Sequence, residues 1–492
     1  MPWPPVMTVP EHTYQYDLIV IGSGPAGMRA AIQAAKAGRR VALAEKKTVV
    51  GGVSVNTGTI PSKTFREAVL ELSGYRDREF HGLSWTVRQK LSAADLLDRV
   101  GTVVRHEIDV THYQLLRNNV EMVAANASFQ DAHTLQLEHV EGTTRSVTAD
   151  KILIATGTEA TRDPHIPFDG STILTSDDIL HLDSLPRTLA VVGAGVIGCE
   201  YASMFAVLGV RVTLVDRRAR LLPFVDSEIA ETLAYHLREN RVTLRLNEAV
   251  STIEKCEDSG GARVRLILDS SKHVVADKAL YSIGRTGTTA RLNLAAAGLA
   301  ADERGRLIVN EHYQTATPNI YAAGDVIGFP SLSSTSMEQG RLAACHMFGL
   351  QANSFPQLLP YGIYTIPEIS MVGRNEEELT RDGVQYEVGK ARYREIARGQ
   401  IIGDTTGLLK LLFHGQTRQL LGVHIIGHGA SELVHIGQAV LAFGGKIDYF
   451  VDTVFNYPTL AECYKSAAFD GLNRMGWPGP SAPGAPDSPT NA

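Results

Sequence analysis

Residues 16–45 read YDLIVIGSGPAGMRAAIQAAKAGRRVALAE. The apolar run from Leu18 to Ile21 has the composition of a buried parallel strand. The turn GSGPAG follows, then an alanine-rich helical stretch that stops at Gly38, then a second strand ending in Glu45. Strand, glycine turn, helix and strand make a βαβ unit. Gly22, Gly24 and Gly27 have the G-x-G-x-x-G spacing. Such glycines let the backbone turn tightly, approach a pyrophosphate, and pack helix against strand. The helix N-terminus beyond them offers N–H donors and a positive dipole end to phosphate. Glu45 is placed to take the ribose hydroxyls of an adenosine.

The same pattern returns at 189–216, LAVVGAGVIGCEYASMFAVLGVRVTLVD. Gly193, Gly195 and Gly198 form the turn, and Asp216 ends the next strand. A lone glycine motif is weak, but two in full strand–turn–helix context are strong. Asp216 suits a ribose with a free hydroxyl, as in NAD. Arg217 and Arg218 follow at once, and a guanidinium there suits the 2′-phosphate of NADP. The alternative is that both arginines are solvated surface charges. The site carries features for both nucleotides.

The bulk numbers bound the remaining choices. A length of 492 residues suggests about three domains. Net charge is -6, with no strong basic block, which argues against nucleic acid or an anionic membrane as main partner. Cys199, Cys256, Cys345 and Cys463 show no C-x-x-C or metal-ligand spacing and read as reduced. The start lacks a basic and an apolar region, so it does not read as a signal peptide. The most apolar stretch, Val191–Val210, contains four glycines and Glu200 and is a poor membrane span. A cytoplasmic location is expected. The proline-rich residues 1–10 and the tail from Gly476 read as disordered.

Three further motifs fall in a fixed order: Ala155-Thr156-Gly157 in ILIATGT, Gly284-Arg285 in YSIGRTG, and Gly324-Asp325 in TPNIYAAGDV. With the two glycine turns, they resemble the glutathione reductase and dihydrolipoyl dehydrogenase superfamily, the FAD-dependent pyridine nucleotide-disulfide oxidoreductases. The resemblance covers about residues 15 to 475. It implies an α/β fold with two Rossmann-like dinucleotide-binding domains, for FAD and NAD(P), plus a C-terminal α+β dimerisation domain. The expected partition is an N-terminus 1–14, FAD-binding 15–158 and 283–354, NAD(P)-binding 159–282, dimerisation 355–475, and a tail 476–492. Two helices, 431–444 and 459–474, are read in the last domain. FAD is expected on Gly22, Gly24, Gly27, Glu45, Gly51, Gly52, Lys63, Thr156, Gly157, Gly324 and Asp325. NAD(P) is expected on Gly193, Gly195, Gly198, Asp216, Arg217, Arg218 and Gly284.

One segment departs from that superfamily. Residues 51–63 read GGVSVNTGTIPSK, where disulfide members carry two cysteines at the positions of Ser54 and Thr59. A hydroxyl forms neither a disulfide nor a thiolate. Disulfide members also use a His-Glu pair from the partner subunit, in a segment like HPTLSE. This chain reads YPTLAE at 457–462, with Tyr457 for the His and Glu462 kept. A tyrosine is a poor base at neutral pH. Both thiols and their base are missing, so hydride entering the flavin must leave by another route.

The stretches GTIPSKTFREAV, GRTG and NYPTLAE resemble the soluble pyridine nucleotide transhydrogenases, which move hydride between NADPH and NAD through FAD. Members of that family often keep one Cys at the position of Ser54. The resemblance implies a ping-pong reaction with NAD(H) and NADP(H) sharing one site, and a homodimer or higher homo-oligomer. It places the Lys63 ammonium near flavin N5, paired with Glu200, and Thr59 against the flavin. Lys63, Glu200 and Thr59 are therefore the candidate catalytic residues. The rivals are an NAD(P)H:quinone or dye reductase and a non-catalytic FAD- and NAD-binding sensor. His424 and His428 read as packing at a subunit interface, and no metal site is expected.

Overall fold

The computed structural model describes residues 13–75, 91–139, 141–258, 261–352 and 358–476. The proline-rich segments read as disordered lie outside them, save Gly476. The chain divides into two compact units. The first comprises residues 1–68, 91–185 and 280–354, and the second 69–90, 186–279 and 355–492.

The first unit is built on the strand Tyr16–Ile21. It pairs in parallel with Val41–Glu45 on one side and with Thr144–Ile154 on the other. Glu121–Phe129 extends the sheet beyond Val41–Glu45, and Ile320–Ala322 extends it beyond Thr144–Ile154. Successive residues of the first strand serve opposite faces, as the strand period requires. Leu18 and Val20 pack with Leu43, Ala30 and Ala31; Ile19 and Ile21 pack with Ile152, Val123 and Phe129. The helix Pro25–Lys36 starts with proline, whose missing N–H costs nothing in a first turn. Its alanines let the helix Ser333–Met347 lie close. A Cβ at Gly340 would collide with the carbonyl oxygen of Ala26.

Strand order reverses at Tyr16–Ile21, the switch point where open α/β sheets hold ligands beyond their carboxyl ends. Gly22, Ala155 and Gly324 each lie just past the end of one of these strands. The junctions at Gly22, Ala155 and Gly324 thus converge on one edge of one sheet, while Gly284-Arg285 lies on a separate two-stranded sheet with Thr158–Ala160.

In the second unit Thr188–Val192, Arg211–Asp216 and Thr243–Leu246 form a parallel sheet. The helix Val196–Val207 follows the second glycine turn and is buried from Gly198 to Val207. That burial explains the most apolar stretch of the sequence, since a helix apolar all round is a core helix. Among the described residues no helix is long and apolar enough to cross a membrane. An antiparallel five-stranded sheet follows, ordered Tyr361–Ile363, Ile369–Gly373, Leu420–Ile426, Leu408–His414, Tyr386–Arg392. The helices Ala430–Ala442 and Glu462–Arg474 cover a core of Tyr464, Phe413 and Phe450. The second starts three residues later than the sequence reading, after the Pro458 turn.

His424 corrects an expectation. It is buried in the chain's own sheet, 1 % exposed, with Nε2 2.9 Å from the carbonyl oxygen of Arg374. Burial pushes its pKa down and keeps the ring neutral. The strand Leu420–Ile426 turns this position inward, so His424 is not at a subunit surface. His428 is exposed.

Candidate functional site

The first unit gathers the residues expected to hold FAD. Gly22 has φ +104°, and a Cβ there would strike the backbone of Ala155. Only glycine suits this turn. The Glu45 carboxylate accepts from Ser23 N at 2.9 Å and Ser23 Oγ at 2.6 Å. Gly51 N donates to the same Ser23 Oγ at 3.0 Å, and a Cβ at Gly52 would lie 2.8 Å from Gly24 Cα. Ser23 therefore ties the first glycine turn, Glu45 and the 51–52 turn into one surface. Its role is not legible from a motif in which it occupies a variable position.

Asp325 follows Gly324 at the end of Ile320–Ala322. Its carboxylate accepts only long bonds, from Ser336 Oγ at 3.4 Å and Thr158 Oγ1 at 3.5 Å. Burial pushes its pKa up, against the pull of the nearby Arg285 guanidinium. Arg285 is itself held by Thr158 Oγ1 and the Thr158 carbonyl, both at 2.9 Å. Gly284 belongs to this first unit too, with its carbonyl accepting from Thr161 N at 3.1 Å. It does not share a unit with the other residues read for NAD(P).

These residues fit FAD. Around Gly24 a Cβ would meet nothing within 4 Å, which leaves room for a pyrophosphate. Thr156 Oγ1 is shut off from solvent and has no hydrogen-bond partner among the described residues. Buried hydroxyls are normally paired, so this one has hydrogen-bonding capacity that a ligand could use. The loosely held Asp325 carboxylate has capacity left for the hydroxyls of a ribityl chain.

Thr59 and Lys63 stand one turn apart on the helix Thr59–Leu72 and share a face. Lys63 Nζ lies 3.3 Å from Ser62 Oγ. Ser54 and Thr59 do not touch an electron-carrying sulfur. Each instead has its hydroxyl 2.9 Å from Ser333 Oγ, on the first residue of Ser333–Met347. Sequence reading missed Ser333, which lies in a run of small hydroxyl residues without periodicity. The four cysteines are all unpaired. Burial pushes the Cys463 thiol up to about 12, and Cys199 further still.

The second unit holds the other set. Gly193 has φ +103°, and around Gly195 a Cβ would meet nothing within 4 Å. Asp216 is buried at the end of its strand, and its carboxylate accepts from Ala194 N at 2.5 Å. The Arg218 guanidinium is bound to it twice, Nε to Oδ1 at 2.9 Å and Nη2 to Oδ2 at 2.6 Å. Burial acts to raise the Asp216 pKa, but the Arg218 and Ala194 bonds outweigh it and the net shift is downward. Arg217 is exposed. Glu200 is 3 % exposed on Val196–Val207 and accepts from Tyr364 N at 2.8 Å. Tyr457 is 73 % exposed, and Glu462 Oε2 is buried with no hydrogen-bond partner among the described residues.

Comparison with known proteins agrees with this geometry. A family described as "Pyridine nucleotide-disulphide oxidoreductase" matches residues 16–340, and its dimerisation domain matches 359–468. The chain is 51% identical over 462 residues to the "Soluble pyridine nucleotide transhydrogenase" of Mycobacterium bovis (strain BCG / Pasteur 1173P2), covering 94% of this chain and 98% of that one. It is 45% identical to the protein of the same name from Colwellia psychrerythraea, covering 94% and 100%. Among solved structures, LpdA from Mycobacterium tuberculosis superposes with a TM-score of 0.84 at 28% identity, covering 92% of this chain and 99% of that one. The HOCl-induced flavoprotein disulfide reductase RclA from Escherichia coli gives 0.82 at 28%, with the same coverage. The chain belongs to the pyridine nucleotide-disulphide oxidoreductase family.

Proposed function

We propose that this protein transfers hydride between NADPH and NAD+ with FAD as cofactor. The observation that carries the reading is the pair Ser54 and Thr59, tied by hydroxyl contacts to Ser333 where a redox dithiol would be needed. Hydroxyls store no electrons at biological potentials, so electrons leave the flavin for an acceptor other than a disulfide, and a second nicotinamide nucleotide is the acceptor proposed here. The names of relatives that align over nearly their whole length support the same activity.

FAD, when bound, supplies the two-electron hydride relay between the nucleotides. Gly22, Gly24, Gly27, Glu45, Gly51 and Gly52 would hold its adenosine and pyrophosphate, and Thr156, Gly157, Gly324 and Asp325 its ribityl side. Lys63 supplies positive charge to offset the negative charge gained with the hydride. Thr59 is its neutral neighbour one turn back on the same helix. Gly193, Gly195 and Gly198 take the nucleotide pyrophosphate, with Asp216 and Arg218 at the ribose end. The two nicotinamide couples have nearly equal potentials, so the protein need only position donor and acceptor.

The dimerisation domain supports a homodimer. Four unpaired cysteines suit a reducing compartment, and we place the protein in the cytoplasm. Rapid-mixing absorbance tests the reaction. NADPH should bleach the flavin band anaerobically, and NAD+ added next should restore it. Bleaching that NAD+ fails to reverse would contradict the assignment.

A further inference from the structure

We infer that the second unit carries an anion site, apart from its glycine turn, that takes the phosphate group of a small molecule. The site is a cleft of about 430 Å³ at the amino end of the parallel sheet, beside the strands Gly261–Leu268 and His273–Ala276. That volume is in the range that holds small metabolites.

The strand register builds the cleft. Thr188 pairs with Arg211, and Thr213 with Thr243, so these four side chains leave one face of the sheet. Arg241 stands two residues before Thr243, in the turn that leads into its strand. On the other side, Val275 pairs with Arg265, and Arg263 lies two residues from Arg265, so Val275 and Arg263 share a face. Three arginines thus line one cleft, with threonine hydroxyls between them. Among the described residues no acid lines it.

Asp277, beside the cleft, is already engaged. Its Oδ2 accepts from Arg187 N at 2.8 Å and from Thr188 N at 3.0 Å, and its Oδ1 is 3.5 Å from Arg263 Nε. It offsets Arg263. Among the described residues, no ion pair or hydrogen bond engages the side chain of Arg211 or Arg241. A guanidinium keeps its proton at every biological pH, so the gathered arginines repel one another. A cleft walled by one sign of charge focuses its field and concentrates counter-ions. Such a gathering of positive charge runs against a chain whose net charge is -6. The planar fork of arginine matches two oxygens of a phosphate, and threonine hydroxyls add donors between the forks.

The cleft is separate from the nucleotide turn. Arg211 opens the strand that Asp216 ends, which puts the two roughly 16 Å apart at a rise of ~3.3 Å per residue. Open α/β sheets hold their nucleotides at the carboxyl ends of the strands. A phosphate at the amino end is therefore not the 2′-phosphate proposed to meet Arg218.

Calorimetric titration of the FAD-loaded protein with pyrophosphate tests the site. The parent should bind, R211A/R241A should bind about tenfold more weakly or worse, and R218A should match the parent. R211A/R241A should keep the parent affinity for NADPH. V275E removes no arginine; it adds a carboxylate at a position 42 % exposed, and it should weaken pyrophosphate as strongly. This variant decides the matter if R211A/R241A fails to fold. No binding to the parent at millimolar pyrophosphate, equal binding to the parent and V275E, or a loss confined to R218A would each overturn the inference. Inorganic phosphate and adenosine 5′-monophosphate separate the sources, each read as the binding that V275E removes. Tighter binding of the ester assigns the cleft to a phosphoester; tighter binding of the inorganic ion assigns it to free phosphate.

Discussion

Asp216 and Arg218 are the pair proposed to meet the ribose of both nucleotides. In the sequence they pull in opposite directions, the acid toward NAD and the base toward NADP. In the structure they are bound to each other, and the four bonds from Ala194 N, Arg218 N, Arg218 Nε and Arg218 Nη2 occupy both oxygens of the carboxylate. The closed pair is neutral, so Asp216 does not repel a 2′-phosphate. Binding a free 2′-hydroxyl on Asp216 requires Arg218 to swing aside. Arg218→Ala should weaken NADPH about 10- to 100-fold, the worth of a charge-assisted bond of roughly 1.5–3 kcal/mol, and NADH much less. Dissociation constants for both nucleotides check this; equal losses would show that Arg218 does not see the phosphate. The pH sign follows from the downward shift of Asp216. The stabilisation is fully present above the ordinary 3.8 and is lost as pH falls through the lower folded value, so the pair stays ionised at neutral pH. Lys63→Met should retain FAD yet slow its reduction by NADPH at least tenfold, measured by rapid mixing. An unchanged rate would leave Lys63 a structural residue.

At the scale of elements, the two βαβ units were readable because their evidence is local. Strand, turn and helix occupy about thirty consecutive residues with the periodicities that hydrophobic burial imposes. The Ser54–Ser333 contact spans 279 residues, and no local pattern can announce it. Lys410 is a second case. It is fully buried on Leu408–His414, held by Asp226 at 2.9 Å, by Glu228 at 3.2 Å and by Glu376. Asp226 also caps the helix Ser227–Glu239, accepting from Glu228 N. The cluster thus fastens the nucleotide-binding part of the second unit to its antiparallel sheet. Its members lie in three separate stretches of sequence where each reads as an ordinary surface charge; Glu376 opens the run EEEL, which looks like a solvated helix face. Lys410→Met would take the buried cation from Asp226 and Glu376 and leave Lys390, 2.7 Å from Glu228, as the remaining positive charge at the cluster. Removing one partner of a buried ion pair costs about 3–5 kcal/mol. Denaturant unfolding should show a loss of that size, and a loss under about 1 kcal/mol would mean the cluster is solvated.

For the whole molecule, the most informative sequence feature was a set of substitutions that only a family frame reveals. Ser54, Thr59 and Tyr457 are unremarkable residues until the positions they occupy are known. The site around them was legible in its backbone, the glycines and acids at strand ends, and not in its side-chain contacts. Glu45 was expected at a ribose and is found already bound to Ser23, while His424 was expected at a subunit surface and is found in the core. The dimerisation domain exposes Val454 at 90 % and Phe443 at 87 %, apolar side chains that a second copy would cover. Val454→Lys with Phe443→Lys should shift the mass measured by light scattering from dimer to monomer; an unchanged dimer would put the interface elsewhere. The central claim concerns where the electrons go. The most direct measurement is anaerobic hydride transfer from NADPH to thio-NAD+ by the purified, FAD-loaded protein, with no quinone present. The expected result is fast turnover with parallel double-reciprocal lines. Flavin reduction with no turnover until a quinone is added would contradict it.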